Sequence, residues 1–245
     1  MSELIRQLNK LTADEFIDDE GEAYRAKLLP GLNAEELAAL VTQMPIATLP
    51  PEVTELLCYS KGLLFGWLEE IRFDAFSDFG RRGLFPACIE LAHDGTGNYW
   101  VLDINKAGEW GAVFYVCHDP AVIIRQANNL LDFLGQVQEY GRFKSTSWFD
   151  EVYERLSFKI WKERKTHTGL VEATTAVASS DDVLSVFAAQ QLPEFLFGDL
   201  RAKSVTQGFA YDRFLQGEQI RKHELEPLWA LVPLRKSWIS KLFGW

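Results

Sequence analysis

The chain has 245 residues, of which 47% are hydrophobic and 24% are charged, and its formal net charge is −10. This composition is typical of a folded protein with one large or two modest domains, and it excludes bulk disorder and low complexity. The sequence contains no stretch of about 20 apolar residues, which excludes a membrane-spanning helix. Its first residues lack the basic start and apolar core of a signal peptide, so we expect a cytoplasmic protein.

The negative charge is concentrated in the first part of the chain. Residues 1–150 hold 12 Lys and Arg against 23 Asp and Glu, a net charge of −11, whereas residues 151–245 hold 13 against 12, a net charge of +1. Phosphate groups favour Lys and Arg, so this distribution argues against nucleic acid as a partner. It suits a basic protein, whose approach it would accelerate, although acidity also serves solubility alone.

The N-terminal segment, residues 1–45, is predicted to be helical. Thr12 is the predicted N-cap of a helix that contains Phe16. Asn33 is the predicted N-cap of another helix, which runs through Glu35, Glu36, Leu37, Leu40 and Val41. The densest charge run, Asp18-Asp19-Glu20-Gly21-Glu22, is interpreted as a solvated face.

A second segment, residues 46–140, opens with a helix that Pro51 begins and Gly62 ends. The stretch Phe65–Phe79 then alternates aromatic and acidic residues. Such an alternation is typical of interfaces, but it also fits aromatic side chains in a core with acidic side chains in solvent. Both interpretations remain open from the sequence.

Three short apolar strands follow, with tight polar turns between them. The strands are predicted at Ala87–Ala92, Tyr99–Ile104 and Ala112–Cys117, joined by loops at residues 94–98 and 105–109. Loops of this length join neighbouring antiparallel strands. Beyond them, Asp119 and Pro120 predict the start of an amphipathic helix, whose apolar residues are Ile123, Ala127, Leu130, Leu131 and Leu134.

The C-terminal region, residues 141–245, is predicted to be mostly helical. Helical spacing occurs from Trp148 to Lys162 and again after Asp181-Asp182, with a linker or loop at Thr166–Ser180. The end of the chain contains Trp229, Trp238 and Trp245 with Arg235, Lys236 and Lys241. We predict that this tail packs on its own domain or on a second subunit; an anionic membrane surface is the alternative.

The sequence carries little catalytic chemistry. The three cysteines, Cys58, Cys88 and Cys117, lie in apolar stretches without metal-ligand spacing, and we predict buried, reduced thiols. No cofactor motif occurs: the glycines of Asp94-Gly95-Thr96-Gly97-Asn98 lack phosphate-loop spacing. A metal-dependent hydrolase is a remaining alternative, with the ligands His93, Asp94, His118 and Asp119. Asp is also a routine turn residue at strand ends, which argues against that alternative.

The chain resembles the SUKH superfamily, whose members carry the Smi/Knr-type domain. The resemblance rests on Leu49-Pro50-Pro51-Glu52-Val53, Ser60-Lys61-Gly62, Asp94 to Asn98, Gly111 to Val116 and Leu131-Asp132-Phe133-Leu134, and it covers about Pro45 to Tyr140. It implies an α+β fold, an antiparallel β-sheet with helices packed on it. We add helical N- and C-terminal extensions and divide the chain at 1–45, 46–140 and 141–245.

The resemblance also implies a binding function and offers no catalytic residues; we expect no cofactor and no metal. Bacterial relatives of this kind are immunity proteins that neutralise a cognate toxin, often a nuclease; fungal relatives are regulatory scaffolds of cell-wall synthesis. Our hypothesis is therefore an immunity protein that occludes a basic toxin, with an envelope or cell-wall scaffold as the alternative. The predicted contact residues are Asp74, Asp78, Glu109 and Asp119.

Overall fold

The structure is a computed structural model that describes residues 1–18, 20–46, 48–80, 83–164, 169–215 and 217–233. It confirms the α+β class: antiparallel sheets carry helices on their outer faces. Three apolar clusters separate four layers, which are helices, a six-stranded central sheet, a four-stranded sheet and a pair of short helices. Across the described ranges, no helix is both long and apolar enough to cross a bilayer.

The N-terminal part alternates helices with short strands, where the sequence predicts helices alone. Its elements are α1 (Glu3–Ala13), β1 (Phe16–Ile17), β2 (Ala23–Tyr24), β3 (Lys27–Leu28), α2 (Ala34–Gln43), α3 (Pro51–Tyr59), β4 (Gly62–Leu64) and β5 (Glu70–Arg72). Strands β1 and β2 form a ribbon, and β3, β4 and β5 form a small antiparallel sheet.

The helix caps in this part confirm one prediction and correct two. Asn33 caps α2 as predicted. The structure adds a capping box, since the Asn33 Oδ1 accepts from the Glu36 amide at 2.9 Å and the Glu36 carboxylate accepts from the Asn33 amide at 2.8 Å. Thr12 does not cap a helix; Ser2 caps α1, and Phe16 lies in β1. Helix α3 ends at Tyr59, and Gly62 begins β4.

The central sheet contains the three predicted strands. They are flanked by strands at both edges, and the sheet consists of β6 (Phe76–Ser77), β7 (Cys88–His93), β8 (Tyr99–Ile104), β9 (Trp110–His118), β10 (Ala121–Ala127) and a later strand at Gly208–Ala210. All of its strand pairs are antiparallel. Its strands read as nearly continuous apolar runs because both faces of the sheet are buried.

The helix predicted to start at Asp119 is wrong in its first half. Asp119 lies in the turn between β9 and β10, and the run Val122, Ile123 and Ile124 continues the sheet because β-branched side chains fit a pleated surface. Helix α4 (Leu130–Phe143) starts later, where the Asn129 side chain accepts from the Asp132 amide at 2.9 Å.

Helices cover one face of the central sheet. Besides α1 and α4, they include the helix predicted from Trp148 to Lys162, which is confirmed and ends at Glu163. This 148–163 helix consists of α5 (Trp148–Asp150), a π-helical stretch (Glu151–Leu156) and α6 (Ser157–Glu163). Buried residues on this face include Trp100, Phe133 and Phe149. The rings of Trp100 and Phe149 stack with their centroids 4.8 Å apart.

The C-terminal region also contains strands that the sequence analysis does not predict. Its elements after the 148–163 helix are β11 (Leu170–Glu172), α7 (Ala173–Val177), α8 (Asp182–Ala189), β12 (Leu196–Asp199), β13 (Gly208–Ala210), β14 (Ile220–Lys222) and β15 (Leu228–Leu231). Four of the strands form a sheet in the order β11-β12-β15-β14, which covers the second face of the central sheet. The description "mostly helical" is therefore incomplete.

Individual predictions for the C-terminal region have mixed outcomes. The helix predicted to start at Asp181-Asp182 is confirmed as α8, and Asp181 caps it by accepting from the Leu184 amide at 3.0 Å. The linker at Thr166–Ser180 is wrong for residues 170–177, which form β11 and α7; residues 165–168 lie outside the described residues. Trp229 packs on the chain's own core, and its indole Nε1 donates to the Leu84 carbonyl at 2.8 Å. Trp238, Trp245, Arg235, Lys236 and Lys241 lie outside the described residues.

The segments after residue 140 pack closely on the central sheet. Strand β13 pairs with β10 at the sheet edge, and the Lys222 ammonium lies 2.9 Å from the buried Asp103 carboxylate of β8. The boundaries at 45 and 140 remain predictions about separable units. Among the cysteines, Cys88 and Cys117 are buried as predicted, whereas Cys58 is exposed; all three are free thiols.

Candidate functional site

The turns that join β7 to β8 and β9 to β10 lie at the same end of the central sheet. Beside them the 148–163 helix and the segment after β13 complete one surface, which we call the strand-end surface. It consists of residues 93–98, His118, Asp119, Tyr153, Glu154, Ser157, Phe158, Arg213 and Phe214. This surface is the candidate site.

The β7–β8 turn is fixed by the Asp94 carboxylate. Its Oδ1 accepts from the backbone amides of Thr96 at 2.8 Å and Asn98 at 3.1 Å, and its Oδ2 accepts from the Asn98 side-chain amide at 2.6 Å. Burial alone would raise the pKa of Asp94, but the hydrogen bonds from Thr96 and Asn98 together lower it. Gly95 and Gly97 supply the positive φ values, 75° and 97°, that this turn requires.

Hydrogen bonds join this turn to its neighbours. The His118 amide donates to Asn98 Oδ1 at 3.0 Å, which ties the β9–β10 turn to the β7–β8 turn. The Tyr153 hydroxyl donates to Asp94 Oδ2 at 3.3 Å, which ties the 148–163 helix to both. Burial raises the pKa of Tyr153 to about 12, with the Asp94 charge acting in the same direction. The surface therefore has a rigid frame.

Exposed acidic and aromatic side chains project from this frame. The Asp119 side chain is 75% exposed, and Phe158 and Phe214 are 58% and 73% exposed. Arg213 lies near two of these side chains: its Nη1 is 3.9 Å from Asp119 Oδ2, and its guanidinium is 5.1 Å from the Phe214 ring centroid. A cavity of about 210 Å³ opens beside Asp119, smaller than the roughly 300–1,000 Å³ of small-molecule sites. The arrangement suits contact with another macromolecule.

The four residues of the metal hypothesis meet at this end of the sheet without converging on one point. Both carboxylate oxygens of Asp94 accept from its own turn, and His93 Nδ1 accepts from the Gly95 amide at 3.2 Å. Among the described residues, no group of three or more His, Cys, Asp or Glu side chains is placed to hold a metal ion.

The four predicted contact residues do not lie on one face. Asp119 belongs to the strand-end surface, whereas Glu109 lies at the other end of β9, ten positions and roughly 33 Å away at about 3.3 Å per residue. Glu109 is exposed and accepts from the Asn105 side-chain amide at 2.8 Å. Asp78 is half-buried, and its carboxylate accepts from the Gly80 amide at 3.0 Å.

Asp74, the fourth predicted residue, belongs to an ion pair. Its side chain is 12% exposed, and both of its oxygens accept from the Arg72 guanidinium, at 2.7 and 2.8 Å. In the aromatic and acidic stretch that contains it, Phe65 and Phe73 are fully buried, as the core interpretation predicts.

Sequence reasoning missed the two exposed phenylalanines. Phe158 occupies the solvent side of the 148–163 helix, between Ser157 and Lys159 and outside the apolar series Phe149, Val152, Leu156 and Ile160. A large aromatic residue on a polar helix face is a signal that was available. Phe214 lies in an irregular segment, where periodicity gives no such signal.

Comparison with known proteins gives a family match over part of the chain. Residues 31–136 match the sequence model of the SMI1 / KNR4 family (SUKH-1). The matched range spans α2, α3 and every strand of the central sheet except β13, and it confirms the resemblance found in the sequence. A search of curated proteins found no significant match.

Proposed function

This chain carries a domain of the SMI1/KNR4 family (SUKH-1), and from that premise we propose that it is an immunity-type protein that neutralises a cognate basic toxin by occlusion. The family suggests protein–protein interaction and is consistent with an immunity-like module. The observation that carries the proposal is the strand-end surface, where acidic and aromatic side chains project from a hydrogen-bonded frame.

Charge supports a basic partner. Residues 1–150, which include the matched domain, have a net charge of −11. Asp119 and the exposed Glu154 place carboxylates on the strand-end surface itself. A negative field of this kind accelerates the approach of a cationic protein and fixes its orientation. A nuclease with a cationic substrate groove is a partner of this chemistry.

The phenylalanines support a buried contact. Aromatic anchors dominate the free energy of protein interfaces, and Phe158 and Phe214 are both exposed on the surface that contains Asp119. The frame beneath them is preorganised, so binding orders few side chains and sacrifices little conformational entropy. We propose a non-enzymatic mechanism, in which the surface covers the toxin's catalytic groove and excludes its substrate.

Co-expression tests this function. The chain is produced together with the toxin domain encoded by the neighbouring reading frame, and cell survival and gel filtration are measured. The proposal predicts survival and a 1:1 complex. The variants Phe158→Ser and Phe214→Ser should each weaken the complex by about 2 kcal/mol, roughly 30-fold in Kd. Glu109→Lys, at the far end of β9, serves as the control and should leave the complex intact. Continued killing with no complex would reject the proposal.

A regulatory scaffold in cell-wall or envelope metabolism is the second candidate. It is favoured by exposed apolar side chains outside the matched range, Val183 and Val186 on α8, which offer a further contact surface. Affinity purification from cell extract separates the two candidates. Recovery of endogenous housekeeping proteins indicates a scaffold, whereas recovery of one toxin indicates immunity.

A further inference from the structure

A groove runs along the β1–β2 ribbon, on a different part of the molecule from the strand-end surface. It consists of two adjoining cavities of about 690 and 470 Å³ that share Asp18 in their walls. We call it the hairpin groove. We infer that the hairpin groove is a contact between two copies of this chain, related by a two-fold axis.

Apolar side chains in the groove are exposed to an unusual degree. Ile17, Leu64 and Phe143 are 52%, 43% and 61% exposed, and all three line its walls. Beneath them, the rings of Phe16, Tyr24 and Phe65 form a packed cluster with centroids 5.1–5.8 Å apart. Three large apolar groups on a rigid floor are typical of a surface that a second protein covers.

The charge of the groove selects the partner. Its walls carry four acidic side chains, Glu15, Asp18, Glu20 and Glu69. They also carry four basic side chains, Arg25, Lys27, Arg142 and Lys144. The lining is therefore neutral, whereas the chain as a whole has a net charge of −10. A basic toxin would gain little from a neutral wall.

A second copy of the chain fits this pattern. Two copies at −10 each repel one another, so they can meet only where the local charge is balanced. In a two-fold contact the same patch meets itself, and a wall with equal numbers of both signs is then complementary to its own copy. Neutral walls with an apolar centre satisfy both conditions.

The backbone around the groove is also unusual. Among the described residues, three that are not glycine have a positive φ, and two of them, Glu69 at 53° and Lys144 at 32°, border the groove. Such conformations are strained and concentrate at binding sites. Both residues hold charged side chains at the rim.

Sedimentation velocity tests the inference on the full chain alone. The protein of 27.9 kDa should sediment at twice that mass at about 100 µM and dissociate on dilution. Phe143→Glu and Ile17→Glu should each raise the dimer dissociation constant at least tenfold. Phe158→Glu places the same change on an exposed phenylalanine outside the groove and should have no such effect.

Charge exchange gives a test that does not depend on apolar contact. The pair Arg25→Glu/Lys27→Glu makes the wall acidic, and the pair Glu20→Lys/Glu69→Lys makes it basic. Each variant alone should be monomeric, and a 1:1 mixture should restore the dimer. A monomeric wild type at 100 µM would overturn the inference, as would a dimer that is indifferent to Phe143→Glu. If toxin binding, not self-association, is lost in Phe143→Glu, the groove belongs to the toxin and the inference fails while the immunity function stands.

Discussion

The ion pair between Lys222 of β14 and Asp103 of β8 joins the two sheets through their shared core. The Lys222 Nζ and Asp103 Oδ2 atoms lie 2.9 Å apart, and their side chains are only 3% and 6% exposed. Asp103 Oδ1 has no hydrogen-bond partner among the described residues. Burial raises the pKa of Asp103, and the Lys222 charge offsets this only in part. We predict that Lys222→Met strongly destabilises the fold.

The magnitude follows from burial. Methionine fills much of the lysine volume, so the main change is a carboxylate left without its counter-charge, which costs about 3–5 kcal/mol. For a chain of this length that corresponds to a fall in Tm of roughly 6–20 °C. In the folded variant the pKa of Asp103 is higher than in the unfolded chain, so the stability of the variant falls as pH rises. The deficit relative to wild type should therefore be smaller at pH 5 than at pH 8.

Urea unfolding followed by tryptophan fluorescence measures this cost. The control is the double variant Asp103→Leu/Lys222→Met, in which both charges are removed and stability should return to within about 1 kcal/mol of wild type or exceed it. A cost below about 1 kcal/mol for Lys222→Met alone is the range of exposed pairs. It would show that water reaches the pair and that the two sheets do not share a dry core.

Three further predictions concern local features. Asn33→Ala removes the side-chain half of the α2 capping box, in which Asn33 Oδ1 accepts from the Glu35 and Glu36 amides, and should cost about 1 kcal/mol in urea unfolding. Thr12→Ala, at a position that caps no helix, should cost less. Thiol titration of the folded protein should label Cys58 rapidly, and Cys88 and Cys117 only after unfolding. Burial raises the pKa of both buried thiols, that of Cys88 to about 12, so neither forms the reactive thiolate readily. Rapid labelling of all three thiols would contradict the burial. Burial also raises the pKa of Tyr153 to about 12. The protonated hydroxyl therefore contributes to stability below about pH 10, the ordinary tyrosine pKa, and that contribution is lost as pH rises towards 12. Tyr153→Phe should remove one late step from the absorbance titration at 295 nm; removal of an early step would refute the burial.

The central sheet could be predicted where local chemistry decides the structure. Strands β7, β8 and β9 are separated by loops with Gly, Asn and Asp, so their ends are visible in the sequence. Strand β10 could not be recognised from the sequence, because Asp119-Pro120 is also typical of a helix start and Ile123, Ala127 and Leu130 also fit a helical period. The β-branched run Val122–Ile124 was the better signal.

The C-terminal sheet could not be predicted because its pairing is distant. Its strands are three or four residues long, and β12 pairs with β15 through Leu196 and Leu231, 35 positions apart. No local pattern fixes such a register. An indirect sign was present in β9, whose buried residues run continuously from Ala112 to Cys117 and require cover on both faces.

The candidate site was predictable only in part, because tertiary packing brings most of its residues together. Asp119 was placed on an exposed surface, but as a helix cap and not as a turn residue. Asp74 is a predicted contact residue, but its carboxylate pairs with Arg72, which lies only two positions away in the sequence. Phe158 and Phe214 meet Asp119 only through tertiary packing, since 39 and 95 positions separate them from it in the sequence.

The rate at which the toxin domain binds this chain, measured by stopped-flow at low and physiological salt, tests the proposed function most directly. We predict that the association rate constant of the wild type falls at least tenfold as salt rises. At low salt, Asp119→Lys should lower the rate constant relative to wild type. Glu109→Lys changes the net charge equally at the opposite end of the sheet and should lower the rate constant much less. A rate that is insensitive to salt, or an equal effect of the two substitutions, would contradict recognition through the strand-end surface.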